Sequence, residues 1–153
     1  MVPTLGERFP PEFQAAHRER SLRPGAVFRV HVNTTNPPKI KRIVVLSINQ
    51  GNALVGHLFI NSDINLFHLD TDELRNLQIF LESQTRDYLS HDSYLDCAQL
   101  YSLPLGELQA LYAADPSILL GHLPETDLAN AIEKVVNART ISNKIKRQCG
   151  LID

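Results

Sequence analysis

Alternating hydrophobic and polar positions in residues 23–62 predict a series of consecutive β-strands. Residues 26–32, Ala-Val-Phe-Arg-Val-His-Val, follow the period of two that is typical of a half-buried strand. An aliphatic run favours a more buried strand over residues 41–48, and residues 53–60 favour a returning strand. The polar turn Asn-Gln-Gly-Asn at 49–52 would join these two strands as a hairpin. We therefore expect antiparallel strands that begin a meander or a small barrel.

Proline and polar residues mark the boundaries of this strand-rich part. Residues 1–22 contain three prolines and predict an N-terminal arm or a short helix. The triplet Arg-Pro-Gly at 23–25 is a turn signal, and Asn-Thr-Thr-Asn-Pro-Pro at 33–38 predicts a loop between two strands.

A mixed pattern of helix and strand follows the predicted hairpin. Asp70 and Glu73 form a possible capping box for a helix over residues 70–82, in which Leu74, Leu77, Ile79 and Leu81 supply an apolar stripe. Residues 93–103 favour one further strand.

Proline and serine positions predict the helices of the C-terminal part. Pro104 introduces a helix over residues 105–114, and Pro124 introduces a longer helix that ends near Arg139. Ser142 is a candidate cap for a last helical turn that carries three basic residues. The predicted fold class is α+β, with a small antiparallel barrel, packed helices and an extended C-terminal helical part.

The length and composition favour a single domain over residues 1–153. With 43% hydrophobic residues, the chain can fill one core. We expect the arm or short helix at 1–22, a barrel with an inserted helix at 23–105, and C-terminal helices at 106–153.

Charges are segregated along the chain although the net charge is only -2. Residues 20–62 contain six basic residues and no acid, whereas residues 63–133 contain thirteen acids and two arginines. Such a division favours one basic face that binds an anionic partner. Alternatively, the acid-free stretch reflects buried strands that have few polar positions.

Several classes of protein are disfavoured by the sequence. No run of about 18 apolar residues suggests a membrane span, and the start of the chain lacks the pattern of a signal peptide, so a cytoplasmic protein is expected. Cys97 and Cys149 lie far apart without metal-ligand spacing, and no metal or cofactor is expected. Phosphate-binding glycine loops, zinc-protease motifs and the serine-hydrolase elbow are also absent.

Cleavage of RNA without a metal is the enzymatic chemistry that fits best with the basic stretch. Such a reaction needs a base, an acid and cationic donors for the charge that develops on phosphorus. Arg42, beside Lys39 and Lys41, suits the last role because a guanidinium can hold two phosphate oxygens. The same three residues could instead be solvated charges that protect a strand edge from aggregation.

A dense polar segment at residues 91–97, His-Asp-Ser-Tyr-Leu-Asp-Cys, is a second candidate for chemistry. It could be catalytic or hold a metal. The other interpretation is a loop entering a strand, in which Asp92 and Ser93 bond local backbone groups and Asp96 faces solvent or an arginine.

The order of these residues resembles the PemK/MazF family of ribonuclease toxins from toxin–antitoxin pairs. The similarity rests on Arg23-Pro-Gly-Ala-Val at 23–27, on Arg42-Ile-Val-Val-Leu at 42–46, and on a serine-to-leucine segment at 93–103. Where the family has a threonine at the end of a strand, this chain has Asn61 or Ser62. The resemblance covers residues 23–105.

The resemblance implies a compact SH3-like barrel, usually as a homodimer, that cuts single-stranded RNA without a metal. By analogy, Arg42 would stabilise the scissile phosphate, and Ser62, or alternatively Asn61, would assist it. RNA-binding candidates are the remaining basic residues of the strand-rich part, namely Arg23, Arg29, Lys39 and Lys41.

Two hypotheses therefore follow from the sequence. In the first, the protein is a toxin-like, metal-independent endoribonuclease that is paired with an antitoxin protein. In the second, it is a non-catalytic SH3-like module that binds nucleic acid or a protein partner.

Overall fold

The computed structural model describes residues 22–32, 39–62 and 71–153. The predicted arm or short helix at 1–22 therefore lies outside the described residues, apart from the buried Leu22. The predicted loop at 33–38 also lies outside them.

The first three strands confirm the prediction made from the alternating pattern. β1 spans Ala26–Val32, β2 spans Lys39–Asn49 and β3 spans Leu54–Asn61. Both neighbouring pairs are antiparallel. The predicted turn after β2 is closed by a hydrogen bond from the Ala53 amide to the Gln50 carbonyl, 3.2 Å long. Local turn chemistry thus produces the expected hairpin.

Four shorter strands extend this sheet on both sides. They are β4 at Gln78–Leu81, β5 at Ser93–Asp96, β6 at Tyr101–Pro104 and β7 at Leu119–His122. The strand order is β4-β5-β3-β2-β1-β7, and β6 pairs with β3 beside β5.

The sheet is curled but has two ends in the described part of the chain. Register irregularities between Val27 and Phe28 and between Val45 and Ser47 bend it, as β-bulges do. β4 and β7 lie at opposite ends of the strand order and do not pair with each other. The structure is therefore a mixed α+β fold with a half-barrel sheet, and the predicted closed SH3-like barrel is not confirmed.

The predicted helix over residues 70–82 is wrong beyond its first turn. Helix α1 spans only Asp72–Asn76, and Thr71 caps it by accepting a hydrogen bond from the Leu74 amide. The predicted cap Asp70 lies outside the described residues. Leu77, Ile79 and Leu81 also fit a period of two, and pairing of β4 with β5 selects the strand.

The single strand predicted at 93–103 is also wrong, because β5 and β6 are separate. Asp96 ends β5 by accepting a hydrogen bond from the Ala98 amide at 2.9 Å, which turns the chain. The two strands then pair with different parts of β3: β5 with Ile60 and Asn61, and β6 with residues 54–57.

The helices of the C-terminal part agree with the sequence pattern. α2 spans Leu105–Ala114 after Pro104, and α3 spans Glu125–Asn137 after Pro124. α4 spans Asn143–Gln148, and its cap Ser142 accepts a hydrogen bond from the Ile145 amide. Only the end of α3 falls two residues before the predicted Arg139.

The sheet is covered on both faces, which gives two hydrophobic clusters. Alternate residues of β2 point to opposite faces, so Val44 and Leu46 belong to one cluster and Ile43 and Val45 to the other. The first cluster also contains residues of α3 and of the C-terminal end, namely Ala131, Val135 and Cys149. The second contains residues of α2, namely Leu105, Leu108 and Tyr112.

Candidate nucleic-acid interface

One face of the sheet carries a group of side chains that we call the basic–aromatic patch: Lys41, Phe59, Asn61 and Tyr101. Alternation along β3 places Phe59 and Asn61 on the same face. Antiparallel pairing with β2 brings Lys41 beside Asn61, and pairing with β6 adds Tyr101. All four side chains are half-buried, so each presents part of its surface to solvent.

The members of the patch contact one another directly. The Lys41 ammonium donates a hydrogen bond to Asn61 Oδ1 at 2.9 Å and lies 5.9 Å from the centre of the Phe59 ring. The Phe59 and Tyr101 rings are 4.5 Å apart between centroids and tilted by 43°. This distance is within the range of favourable aromatic pairs, and the ammonium is at the limit for a cation–π contact.

A buried histidine lies behind these two rings. The His57 ring stacks on Tyr101 at 5.9 Å and meets Phe59 edge-on at 5.7 Å between centroids. Burial lowers the pKa of His57 to about 4, while a hydrogen bond with the Val55 backbone acts in the opposite direction. The imidazole is therefore neutral at neutral pH and serves as an uncharged support behind the two half-buried rings.

The positive charge of the patch is not neutralised by an ion pair in the described part of the chain. The two ion pairs found there are Arg86–Asp127 and Arg139–Glu73, and neither includes Lys39 or Lys41. Lys39 is exposed at the start of β2. Two lysines and two aromatic rings thus share one end of the sheet.

Arg42 lies on the opposite face of the sheet from the patch. Its Nε donates a hydrogen bond to the Tyr88 carbonyl at 3.1 Å, and Arg29 of β1 is its direct cross-strand partner. Nearby, Arg86 forms a two-pronged ion pair with Asp127, with contacts of 3.0 and 3.2 Å. Burial raises the pKa of the Tyr88 hydroxyl to about 12.

The predicted catalytic residues are therefore not brought together as one group. Asn61 is bound to Lys41 on one face, whereas Arg42 points to the other, because Arg42 pairs with Ile60. Ser62 is exposed immediately after β3. Because Arg42 pairs with Ile60 and alternate residues point to the same side, Ser62, rather than Asn61, lies on the side of Arg42.

The remaining predicted RNA-binding residues lie on the surface. Arg29 is exposed on β1. Hydrogen bonds from the hydroxyl and amide of Ser117 lower the pKa of the Asp115 carboxyl, and the positive charge of Arg29 contributes less in the same direction. Arg23 is exposed at the turn before β1, where its carbonyl accepts a hydrogen bond from the Ala26 amide at 3.0 Å. Gly25 in this turn has a φ of 95°, which only glycine adopts easily.

The polar segment at 91–97 behaves as the loop entering a strand. Asp92 accepts hydrogen bonds from the amide and hydroxyl of Ser83, and the Ser93 hydroxyl donates to the His91 carbonyl. Asp96 is bound by the Gln78 amide group at 2.7 Å rather than by an arginine. These side chains are occupied by local structural bonds.

Within residues 22–32, 39–62 and 71–153, no group of three or more potential metal ligands comes together. No helix in these ranges is both long enough and apolar enough to cross a membrane. No model of a known protein family matches the chain, and no curated protein is significantly similar to it.

Sequence reasoning missed Phe59 and Tyr101 as site residues. The alternation of 53–60 was sufficient to place Phe59 on the same face as Asn61. Tyr101 could not be assigned, because its place depends on the pairing of β6 with a strand that lies over 40 residues earlier in the chain.

Proposed function

We propose that this protein binds single-stranded RNA through the basic–aromatic patch. The observation that supports this proposal is the contact of the Phe59 and Tyr101 rings at 4.5 Å, with the Lys41 ammonium beside them. Partly exposed aromatic rings next to cations are the usual platform for unpaired bases and their phosphates. Each stacked base contributes about 1–3 kcal/mol.

The chemistry of the patch favours single strands over duplexes. A base can stack on Phe59 or Tyr101 only when its own face is not covered by neighbouring bases in a helix. Asn61 offers an amide group that can bond a base edge, and Lys39 and Lys41 offer charge to the backbone. Stacking would then select unpaired RNA, and charge would set the salt dependence.

Substitutions that remove a ring while keeping an apolar side chain test the stacking directly. We expect Phe59→Leu and Tyr101→Leu each to weaken binding of fluorescein-labelled oligouridine by roughly tenfold in fluorescence anisotropy. Phe80→Leu is the matched control, because Phe80 is also a partly exposed aromatic residue of this sheet. Equal affinities for the wild type and all three variants would refute the proposal.

The electrostatic part of the proposal has its own measurement. Replacing both Lys39 and Lys41 by glutamine should weaken binding of different RNA sequences by a similar factor, since phosphate contacts carry no base information. The slope of log affinity against log salt should fall by roughly 1.4, about 0.7 for each lost contact with a single strand. An unchanged slope would exclude these lysines as phosphate ligands.

A toxin-like, metal-independent endoribonuclease is the second candidate function, and the position of Arg42 favours it. Its Nε is held by the Tyr88 carbonyl, so the guanidinium is oriented before any ligand arrives. A preorganised donor of this kind stabilises charge that develops on a phosphate. This candidate keeps Ser62 as the assisting residue, because Asn61 lies on the other face of the sheet, and it keeps an antitoxin and a second copy of the chain as partners.

Cleavage assays distinguish this candidate from binding alone. If the protein cuts RNA, Arg42→Ala should lower the rate by on the order of 100-fold, and Arg139→Ala, an exposed arginine elsewhere, should not. Cleavage should persist in a chelator and should stop when the sugar at the cut site lacks its 2′-hydroxyl. Binding without any cleavage would eliminate the endoribonuclease, and full activity in Arg42→Ala would eliminate Arg42 as its phosphate-stabilising residue.

A further inference from the structure

The row of side chains that contains Asn61 continues across the sheet into a second aromatic pair. Asn61 pairs with Tyr94 of β5, and Tyr94 pairs with Phe80 of β4. Directly paired residues share a face of the sheet, so Tyr94 and Phe80 lie on the same face as the basic–aromatic patch. Their rings are 5.4 Å apart, and Phe80 is 51% exposed.

The charge of this face changes sign between the two aromatic pairs. Several acids lie near Tyr94 and Phe80. Asp96 is on the same face, where it binds Gln78, and the exposed Glu82 directly follows β4. Arg86 donates to the Glu82 carbonyl, but its charge is paired with Asp127. Asp92 is also exposed nearby, bound to Ser83. An RNA strand would be repelled at this end, whereas a cationic group would be attracted.

β4 is also an edge strand in the described part of the chain. It pairs with β5 on one side, and no other described strand pairs with it. Such an edge presents unpaired backbone amides and carbonyls that can accept another extended segment. Peptides bound in this way gain affinity from the backbone bonds and specificity from alternate side chains.

We propose that the β4 edge binds an extended basic segment of a partner protein. The segment pairs with Gln78–Leu81 and places an arginine or lysine on the Phe80 and Tyr94 rings. Two features of the site support a cationic residue: the faces of aromatic rings attract cations, and the Asp96 and Glu82 carboxylates complement the charge. A second copy of this chain fits less well, because two acidic edges would repel each other.

A labelled peptide tests the pairing and the charge separately. The probe is an eight-residue peptide of alternating valine and arginine with blocked termini, and its binding is measured by fluorescence anisotropy at low and high salt. The comparison peptides have glutamate in place of arginine, or N-methyl groups on alternate residues that prevent strand pairing. We expect binding of the first peptide only, together with slower amide exchange in residues 78–81.

Variants of the protein locate the binding surface. Phe80→Ser and Glu82→Gln should each weaken peptide binding, the first by on the order of tenfold as expected for a central aromatic contact. Leu111→Ser is the matched control, because Leu111 is an exposed apolar residue of α2. Thermal melts establish that all variants are folded.

The outcomes separate this proposal from RNA binding. Phe80→Ser should keep its affinity for oligouridine, and Phe59→Leu should keep its affinity for the peptide. The proposal is overturned if the N-methylated or glutamate peptide binds equally well, if Phe80→Ser has no effect, or if no peptide binds. Self-association that is lost in Phe80→Ser would assign the edge to a dimer contact instead.

Discussion

Adding one methyl group at Gly56 should weaken the docking of the C-terminal helix on the sheet. A Cβ built at Gly56 would lie 2.6 Å from Ser47 Oγ, 2.9 Å from Cys149 Cβ and 3.1 Å from Cys149 Sγ. Ser47 can rotate its hydroxyl away. The Cβ of Cys149 is attached to the backbone at the end of α4, so the helix itself must shift.

The size of the effect follows from overpacking. Extra methyl groups in a well-packed interior cost about 1–3 kcal/mol, and the two short contacts place Gly56→Ala in the upper half of that range. With a urea m-value of about 2 kcal/mol/M, the unfolding midpoint should fall by roughly 1 M. Gly106→Ala is the matched control, since a Cβ there meets no atom within 4 Å and α2 should gain about 0.5–1 kcal/mol.

Urea unfolding followed by circular dichroism measures both variants, and a double-mutant cycle tests the cause. Cys149→Gly removes the Cβ that Gly56→Ala would strike, so Gly56→Ala should cost less in that background. Equal costs with and without Cys149, or a Gly56→Ala protein as stable as the wild type, would refute the packing of α4 against β3.

Two further predictions concern buried groups. Burial lowers the pKa of His57 to about 4 from an ordinary value of 6.5, so the unfolded chain binds its proton first and stability should be lost as pH falls from about 6.5 to 4. The loss of stability due to His57 amounts to about 3 kcal/mol. Urea unfolding at several pH values in this range should show that the free energy of unfolding depends less on pH in His57→Phe than in the wild type. An equal pH dependence would contradict this prediction. The Lys146 ammonium is buried and donates to the Val136 and Ala138 carbonyls at 2.9 Å each, so Lys146→Met should cost about 2 kcal/mol by leaving these carbonyls unpaired. Thermal melts measure this loss, and the exposed Lys144→Met should keep the melting temperature of the wild type. Similar melting temperatures for the two variants would argue against the stabilising hydrogen bonds of Lys146.

Features that depend on neighbours in sequence were predictable. The period of two in β1 and the turn after β2 are local, and the first three strands formed where expected. Pro104, Pro124 and Ser142 mark helix starts through the backbone groups of the first turn alone, and all three helices begin there. Distant parts of the chain are not needed for these choices.

The candidate site was only partly predictable, because its geometry depends on register. The sequence placed Lys39, Lys41 and Arg42 together, yet strand alternation sends Lys41 and Arg42 to opposite faces of β2. Arg42 and Asn61, which the sequence analysis assigned to one catalytic site, therefore lie on two separate surfaces. The PemK/MazF resemblance and the endoribonuclease activity both stay predictions, and the cleavage assay tests the activity.

By itself, the sequence determined the strand-rich first half, the caps of the later helices and the concentration of basic residues at one end of β2. Only tertiary structure decided that residues 78–81 form a strand. Leu74, Leu77 and Leu81 fit a helical stripe, whereas Leu77, Ile79 and Leu81 fit a strand, and pairing with β5 selects the second pattern. It also brought Tyr101 against Phe59. The physical reason is that strand pairing joins residues distant in sequence, so neither its partner nor its register is encoded in local periodicity.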